Sequence, residues 1–87
     1  MPSFYSQGLK ECHHLQVVPV ISSFDCDGNI FPLYVRIDGQ SLKIYNAYRV
    51  ESSLRMIHFN CEVMNYDRVK RIKLSYHIAD MVWSTPR

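Results

Sequence analysis

The sequence predicts an all-β fold: a small antiparallel barrel of five to six strands, SH3-like first and OB-like as the alternative, behind an irregular N-terminal arm. Three observations lead there. Apolar and polar residues alternate with period two along Leu33/Val35/Ile37, Ile57/Phe59/Cys61/Val63 and Ile72/Leu74/Tyr76/Ile78, the spacing of strands with one face in a core and the other in water. Turn signals separate these runs: Asp25-Cys-Asp-Gly28-Asn29, Asp38-Gly39 and Asn65-Tyr66-Asp67. Aromatic residues make up 13% of the chain, with six Tyr and four Phe, while Ala occurs only at positions 47 and 79. That composition suits a pleated surface and argues against a helical bundle.

Eighty-seven residues make one domain. A chain of this size buries only about 60–65% of its unfolded surface, which leaves a thin stability margin. The organisation expected is an arm over residues 1–14 and a barrel over residues 15–84. The arm (MPSFYSQGLKECHH) has no clean period, and Pro2, Ser3, Ser6 and Gly8 break it up.

The first strand is Leu15–Phe24. Pro19 lacks a ladder donor, so this strand lies at an edge or bends there. In the turn that follows, Gly28 supplies positive φ and the Asp side chains bond local backbone. The second strand is Ile30–Ile37, with Leu33, Val35 and Ile37 inward and Tyr34 and Arg36 outward. Asp38-Gly39 is a two-residue hairpin signal. The third strand, Gln40–Val50, turns Leu42 and Ile44 inward and Lys43 and Tyr45 outward. Its phase slips near Asn46-Ala47, as at a bulge. The fourth is Arg55–Met64, with Ile57, Phe59, Cys61 and Val63 as its core row, so Cys61 is a packed thiol. Met56, His58, Asn60, Glu62 and Met64 form its outward row. The fifth is Arg68–Ile78, with Arg71, Lys73, Ser75 and His77 outward. Met81–Trp83 closes the domain and Ser84–Arg87 is a tail. So many short strands in so small a chain are expected to roll up, because closure removes exposed edges. The OB alternative suffers from the lack of room for that fold's usual helix.

Net charge is +2, too little to require a nucleic-acid partner by itself. Its distribution is uneven. Residues 1–32 hold one base and three acids (1 − 3 = −2), and residues 33–87 hold nine bases and five acids (9 − 5 = +4). Three cysteines, Cys12, Cys26 and Cys61, have no framework spacing and read as reduced thiols, with the cytoplasm as the expected compartment. No apolar run approaches the ~20 residues of a membrane span, and Lys10, Glu11, His13 and His14 stand where a secretion signal would be apolar. No membrane partner is expected.

The order F-D-x-D-G-x-I-x-P-L (Phe24–Leu33), Asp38-Gly39, Phe59-x-Cys61-x-Val63, Leu74-x-Tyr76 and Trp83 resembles that of small uncharacterised SH3-like barrel proteins of Gram-positive bacteria. The resemblance covers about residues 17–84. It implies a small barrel and no catalytic residue. The chain departs from that pattern in the short, glycine-free loop after its third strand.

Chemistry is sparse. Cys12, His13, His14, Cys26 and His58-x-x-Cys61 include no Cys-x-x-Cys pair, and residues three apart on a strand face opposite ways. Asp25-x-Asp27-Gly28-Asn29 opens like a calcium loop. Its sixth and twelfth positions, however, are Ile30 and Arg36, where an EF-hand needs Gly and Glu. Cys12 and Cys26 sit on an arm and a turn tip, poor places to fix a nucleophile against a base. The expectation is a non-enzyme with no cofactor and no metal. The leading function is a protein-binding adaptor or inhibitor module, acting through an exposed strand edge and an apolar surface of Met56, Met64, Phe31 and Trp83. Its partner is another protein, a second copy of the chain included. The alternative is a nucleic-acid binder. Arg36, Lys43, Arg71 and Lys73 would meet phosphates, and Tyr34 and Tyr45 would stack bases.

Overall fold

The structure, a computed structural model, describes residues 14–87. Residues 1–13 of the expected arm, with Cys12 and His13, lie outside the described residues. Seven strands form one antiparallel sheet: β1 (Leu15–Val18), β2 (Val20–Phe24), β3 (Ile30–Ile37), β4 (Gln40–Arg49), β5 (Met56–Asn65), β6 (Arg68–His77) and β7 (Val82–Pro86). Their spatial order is β1-β7-β6-β5-β4-β3-β2. Every neighbour from β2 to β7 is also a sequence neighbour, an up-and-down order rather than the Greek key of an OB barrel. No helix occurs among the described residues, so none is long and apolar enough to cross a membrane.

The strand count exceeds the expected five to six for one reason. Pro19 divides the first strand in two. β1 pairs with β7 and β2 pairs with β3, so one bent segment supplies both edges of the sheet and gives it a small barrel-like curl. Pro19 has no N–H to donate, but its carbonyl accepts the Arg36 N–H at 3.0 Å, which ties the bend to β3.

Turn chemistry matches the sequence. Asp38 and Gly39 have φ of 51° and 78°, the paired left-handed geometry of a type I′ hairpin. At the β2–β3 turn the Asp25 carboxylate accepts the N–H groups of Asp27 and Asn29, both at 2.9 Å, and the Asn29 side-chain amide at 3.1 Å. The Asn29 amide bond is the main reason its carboxyl titrates below the ordinary range. The would-be calcium ligand is thus a turn staple.

Core packing follows the expected rows on β5 and β6. Phe59, Cys61, Val63 and Leu74 are buried, with Val18, Ile30, Val35, Ile44 and Trp83 around them. Burial pushes the Cys61 thiol up to about 11, so it stays protonated. Trp83 packs its ring 5.8 Å from Phe59 and 5.1 Å from Tyr76.

Several expectations need correction. Leu33 is exposed, because a bulge between Ile21 and Ser22 shifts the β2–β3 register: Ile21 faces Tyr34 and Ser22 faces Pro32, which skips Leu33. Pro32 takes the inward place. Arg55 precedes β5, and Ile78 follows β6 into a turn and is exposed. Residues 84–86 are strand rather than tail, since β7 continues to Pro86 against β1, and Ser84 and Thr85 are buried. Thr85 Oγ1 donates to the Lys73 carbonyl at 2.7 Å. On β4 the register shift lies between Ile44 and Asn46, one residue before the expected slip.

Two stability predictions result. Phe59→Ala is expected to cost about 3–5 kcal/mol as a core truncation, readable as a lower urea midpoint. Met81 is exposed with φ of 55°, a conformation that costs an L side chain about 1–2 kcal/mol. Met81→Gly is expected to raise the melting temperature, the relief exceeding the roughly 0.5–1 kcal/mol of extra backbone entropy.

Candidate functional site

The outer face of β3–β6 gathers Arg36, Lys43, Arg71 and Lys73 with three exposed tyrosines, while Arg49 and Lys70 fall on the other face, in register with Phe59 and Val63. Tyr34 on β3 stands directly opposite Lys43 on β4, and Arg36 opposite Ser41. Lys43 Nζ lies 5.4 Å from the centre of the Tyr45 ring, within cation–π range. Tyr45 is 55% exposed and Tyr34 41%. β3 and β4 contain Arg36, Lys43 and Arg49 and no Asp or Glu. Arg36 and Lys43 make no ion pair among the described residues.

The bulge at Tyr45 keeps this face continuous with β5 and β6. Beyond it, Asn46 pairs with Glu62 and Tyr48 with Asn60 across β4–β5. Glu62 then pairs with Arg71, and Asn60 with Lys73, across β5–β6. The result is two cross-strand rows, Asn46–Glu62–Arg71 and Tyr48–Asn60–Lys73. The first row is internally bonded: Asn46 Nδ2 donates to Glu62 Oε1 at 2.8 Å, and Arg71 Nε stands 3.7 Å from Glu62 Oε2. Exposed pairs such as the Arg71–Glu62 contact contribute little to stability. The carboxylate nevertheless has both oxygens engaged. Tyr48 was missing from the sequence-based set, because the phase slip beside it hides which way it points.

The six residues expected for nucleic acid thus lie on one face, Tyr34, Arg36, Lys43 and Tyr45 in one group and Arg71 and Lys73 in another, with β5 between. The four expected for a protein partner do not gather. Trp83 is a correction: at 5% exposure it is a core residue, locked between Phe59 and Tyr76. Met56 is half-buried, and Met64 and Phe31 are exposed on β5 and β3, separated by β4. Phe31 groups instead with other exposed apolar residues, Ile21, Phe24 and Leu33, along β2 and β3. A small groove of about 220 Å³ adjoins them, lined by Pro19, Ile21, Tyr34, Arg36 and Ser41 among others.

A second cluster escaped sequence reasoning. His58 Nδ1 shares a hydrogen bond with Ser75 Oγ at 2.7 Å, and His77 Nε2 shares one with Ser84 Oγ at 2.7 Å. Ser84 has no exposed surface, so its hydroxyl is placed to clasp β6 to β7 and not to meet a substrate. The signal was faint: two outward His and two Ser on strands that pair only in the fold. No group of three or more His, Cys, Asp or Glu that could hold a metal ion occurs among the described residues.

Burial is the main cause that holds the His77 imidazole below its ordinary value of 6.5; nearby His58 adds to this and Asp80 opposes it. The unfolded chain therefore takes up this proton first as pH falls. His77 contributes stability that is full above about 6.5 and is lost as pH drops from there through the lower folded value. Urea midpoints are expected to fall between neutral pH and mildly acidic pH, and His77→Gln to flatten that fall.

No family model, curated protein or solved structure matches this chain.

Proposed function

We propose that the protein is a non-enzymatic binding module that holds a nucleic-acid strand on the outer face of β3–β6. One observation supports this above the others: Tyr34, Arg36, Lys43 and Tyr45 lie on two paired strands that carry no carboxylate, with Lys43 seated over a tyrosine ring. Cations on such a face release counterions from phosphates, and exposed rings give bases a stacking platform of about 1–3 kcal/mol each. Curled meanders in which a bent first strand serves both its neighbour and the last strand support placing the fold with SH3-like small barrels. Three cysteines without framework spacing support a reducing compartment such as the cytoplasm.

A protein-binding adaptor is the second reading. The β2 edge favours it. Its sequence, VISSF, has no charge, and Ile21 and Phe24 on it are 63% and 64% exposed. An uncharged, apolar edge invites a partner strand, and a second copy of the chain supplies one.

Fluorescence anisotropy with a short single-stranded oligonucleotide tests the first reading. Binding is expected at low salt and to weaken as salt rises, with a log–log slope of about −0.7 per phosphate, or roughly −2 to −3 for three or four contacts. Arg36→Glu combined with Lys43→Glu is expected to abolish it. Binding retained in that double variant removes the β3–β4 group from the site. Salt-insensitive self-association, with no oligonucleotide bound, turns the choice to the β2 edge.

A further inference from the structure

Across β4–β6 the outer face is dished into a groove of about 490 Å³, with Tyr48, Asn60, Glu62, Arg71 and Lys73 among its lining residues. Tyr48, Asn60 and Lys73 stand in register across the three strands. Two strand spacings, about 10 Å, separate the first from the last. The Tyr48 ring is exposed on β4. Neither the Asn60 amide nor the Lys73 ammonium makes a side-chain hydrogen bond or ion pair among the described residues. Glu62 is held by Asn46 and Arg71, which leaves Lys73 as the uncompensated charge in the groove. Arg71, at 87% side-chain exposure, still turns most of its guanidinium to solvent.

We propose that this groove seats one unstacked base of a single-stranded nucleic acid, an inference that rests on the nucleic-acid reading above. Tyr48 stacks on the base, Asn60 bonds its edge, and Lys73 takes the adjoining phosphate with Arg71 beside it. A duplex cannot use the groove, since its bases are stacked on one another and its edges lie inside grooves of their own. A side-chain amide presents one donor and one acceptor side by side. That pair matches the N6–H/N7 edge of adenine, and on an unpaired base equally the N4–H/N3 edge of cytosine or the N3–H/O4 edge of uracil, so Asn60 bonds the base edge without selecting one base. From this groove the strand crosses β4 past Tyr45 to reach Lys43 and Tyr34.

Anisotropy titrations with short oligo-A, oligo-C and oligo-U strands, and with a duplex, test the seat on the full chain. The parent is expected to bind all three single strands in preference to duplex. Tyr48→Ala is expected to weaken single-strand binding roughly 5- to 100-fold, the loss of one stacked base, with an unchanged salt slope. Tyr48→Phe keeps the ring and the affinity. Asn60→Ala is expected to weaken oligo-A, oligo-C and oligo-U binding alike, by less than Tyr48→Ala does. Both side chains are outside the core, and an unchanged melting curve checks that each variant is folded. Parent-like binding by Tyr48→Ala, or duplex bound as tightly as single strand, overturns the seat. If Arg36→Glu with Lys43→Glu abolishes binding while Tyr48→Ala does not alter it, the seat falls and the β3–β4 face stands. If no strand binds the parent at low salt, the face itself falls and the seat with it.

Discussion

One residue sets the architecture: Pro19, where a single extended segment turns from one edge of the sheet to the other. Without the bend, Leu15–Phe24 would be one strand at one edge, and β7 would have no partner on its outer side. With it, Val18 reaches Trp83 and Val20 reaches Val35, so residues two apart bind opposite ends of a seven-stranded order. Proline suits the position because a strand that changes partners must give up a ladder bond there, and proline has no donor to lose. The Arg36 N–H bonded to its carbonyl keeps the remaining polar group satisfied. Core packing then follows, since Trp83 can lie against Phe59 and Tyr76 only if β7 is held on both sides.

Two bulges decide what the outer surface looks like. A strand has a side-chain period of two, so one extra residue reverses every later position. The shift opposite Ile21 puts Leu33 outside and lets Val35 and Ile37 return to the core side. The shift at Tyr45 keeps Ile44 buried and sends both Tyr45 and Tyr48 to solvent. The basic, tyrosine-bearing face is therefore a product of backbone irregularity as much as of alternation.

Alternation and turn chemistry were readable from the sequence wherever they were local. The Phe59/Cys61/Val63 row, the Leu74 row, the Asp38-Gly39 hairpin and the Asp25 turn all depend on neighbours a few residues away, and the structure has them. What was not readable depends on partners far along the chain. Leu33 looks inward in any single-strand reading, and only its register with β2 turns it out. Trp83 looked surplus to a small core because nothing local shows that β1 will hold β7 from its other side. The His58–Ser75 and His77–Ser84 bonds join residues on different strands or across a turn. Neither pair has a motif. On the candidate face, the cations and two of the tyrosines were legible as outward positions, while Tyr48 and the groove beside it needed the bulge.

Charge and stacking divide the work on such a face unevenly. The chain has a net charge of only +2, and Glu62 sits among its cations, so long-range attraction for a polyanion is weak and easily screened. Local charge is a different matter. Glu62 is engaged within its own row by Asn46 and Arg71, and Arg36, Lys43 and Lys73 make no ion pair among the described residues, so on the proposed reading all three are free to meet a phosphate. Three such contacts give an association that salt erodes quickly. The rings of Tyr34, Tyr45 and Tyr48 add attraction of about 1–3 kcal/mol for each stacked base, and salt screens that part far less. On the proposed reading, held affinity is thus set by how many rings a strand can reach at once. The spacing of the tyrosines along β3 and β4, which the Tyr45 bulge fixes, would then be the property of the fold on which such binding most depends.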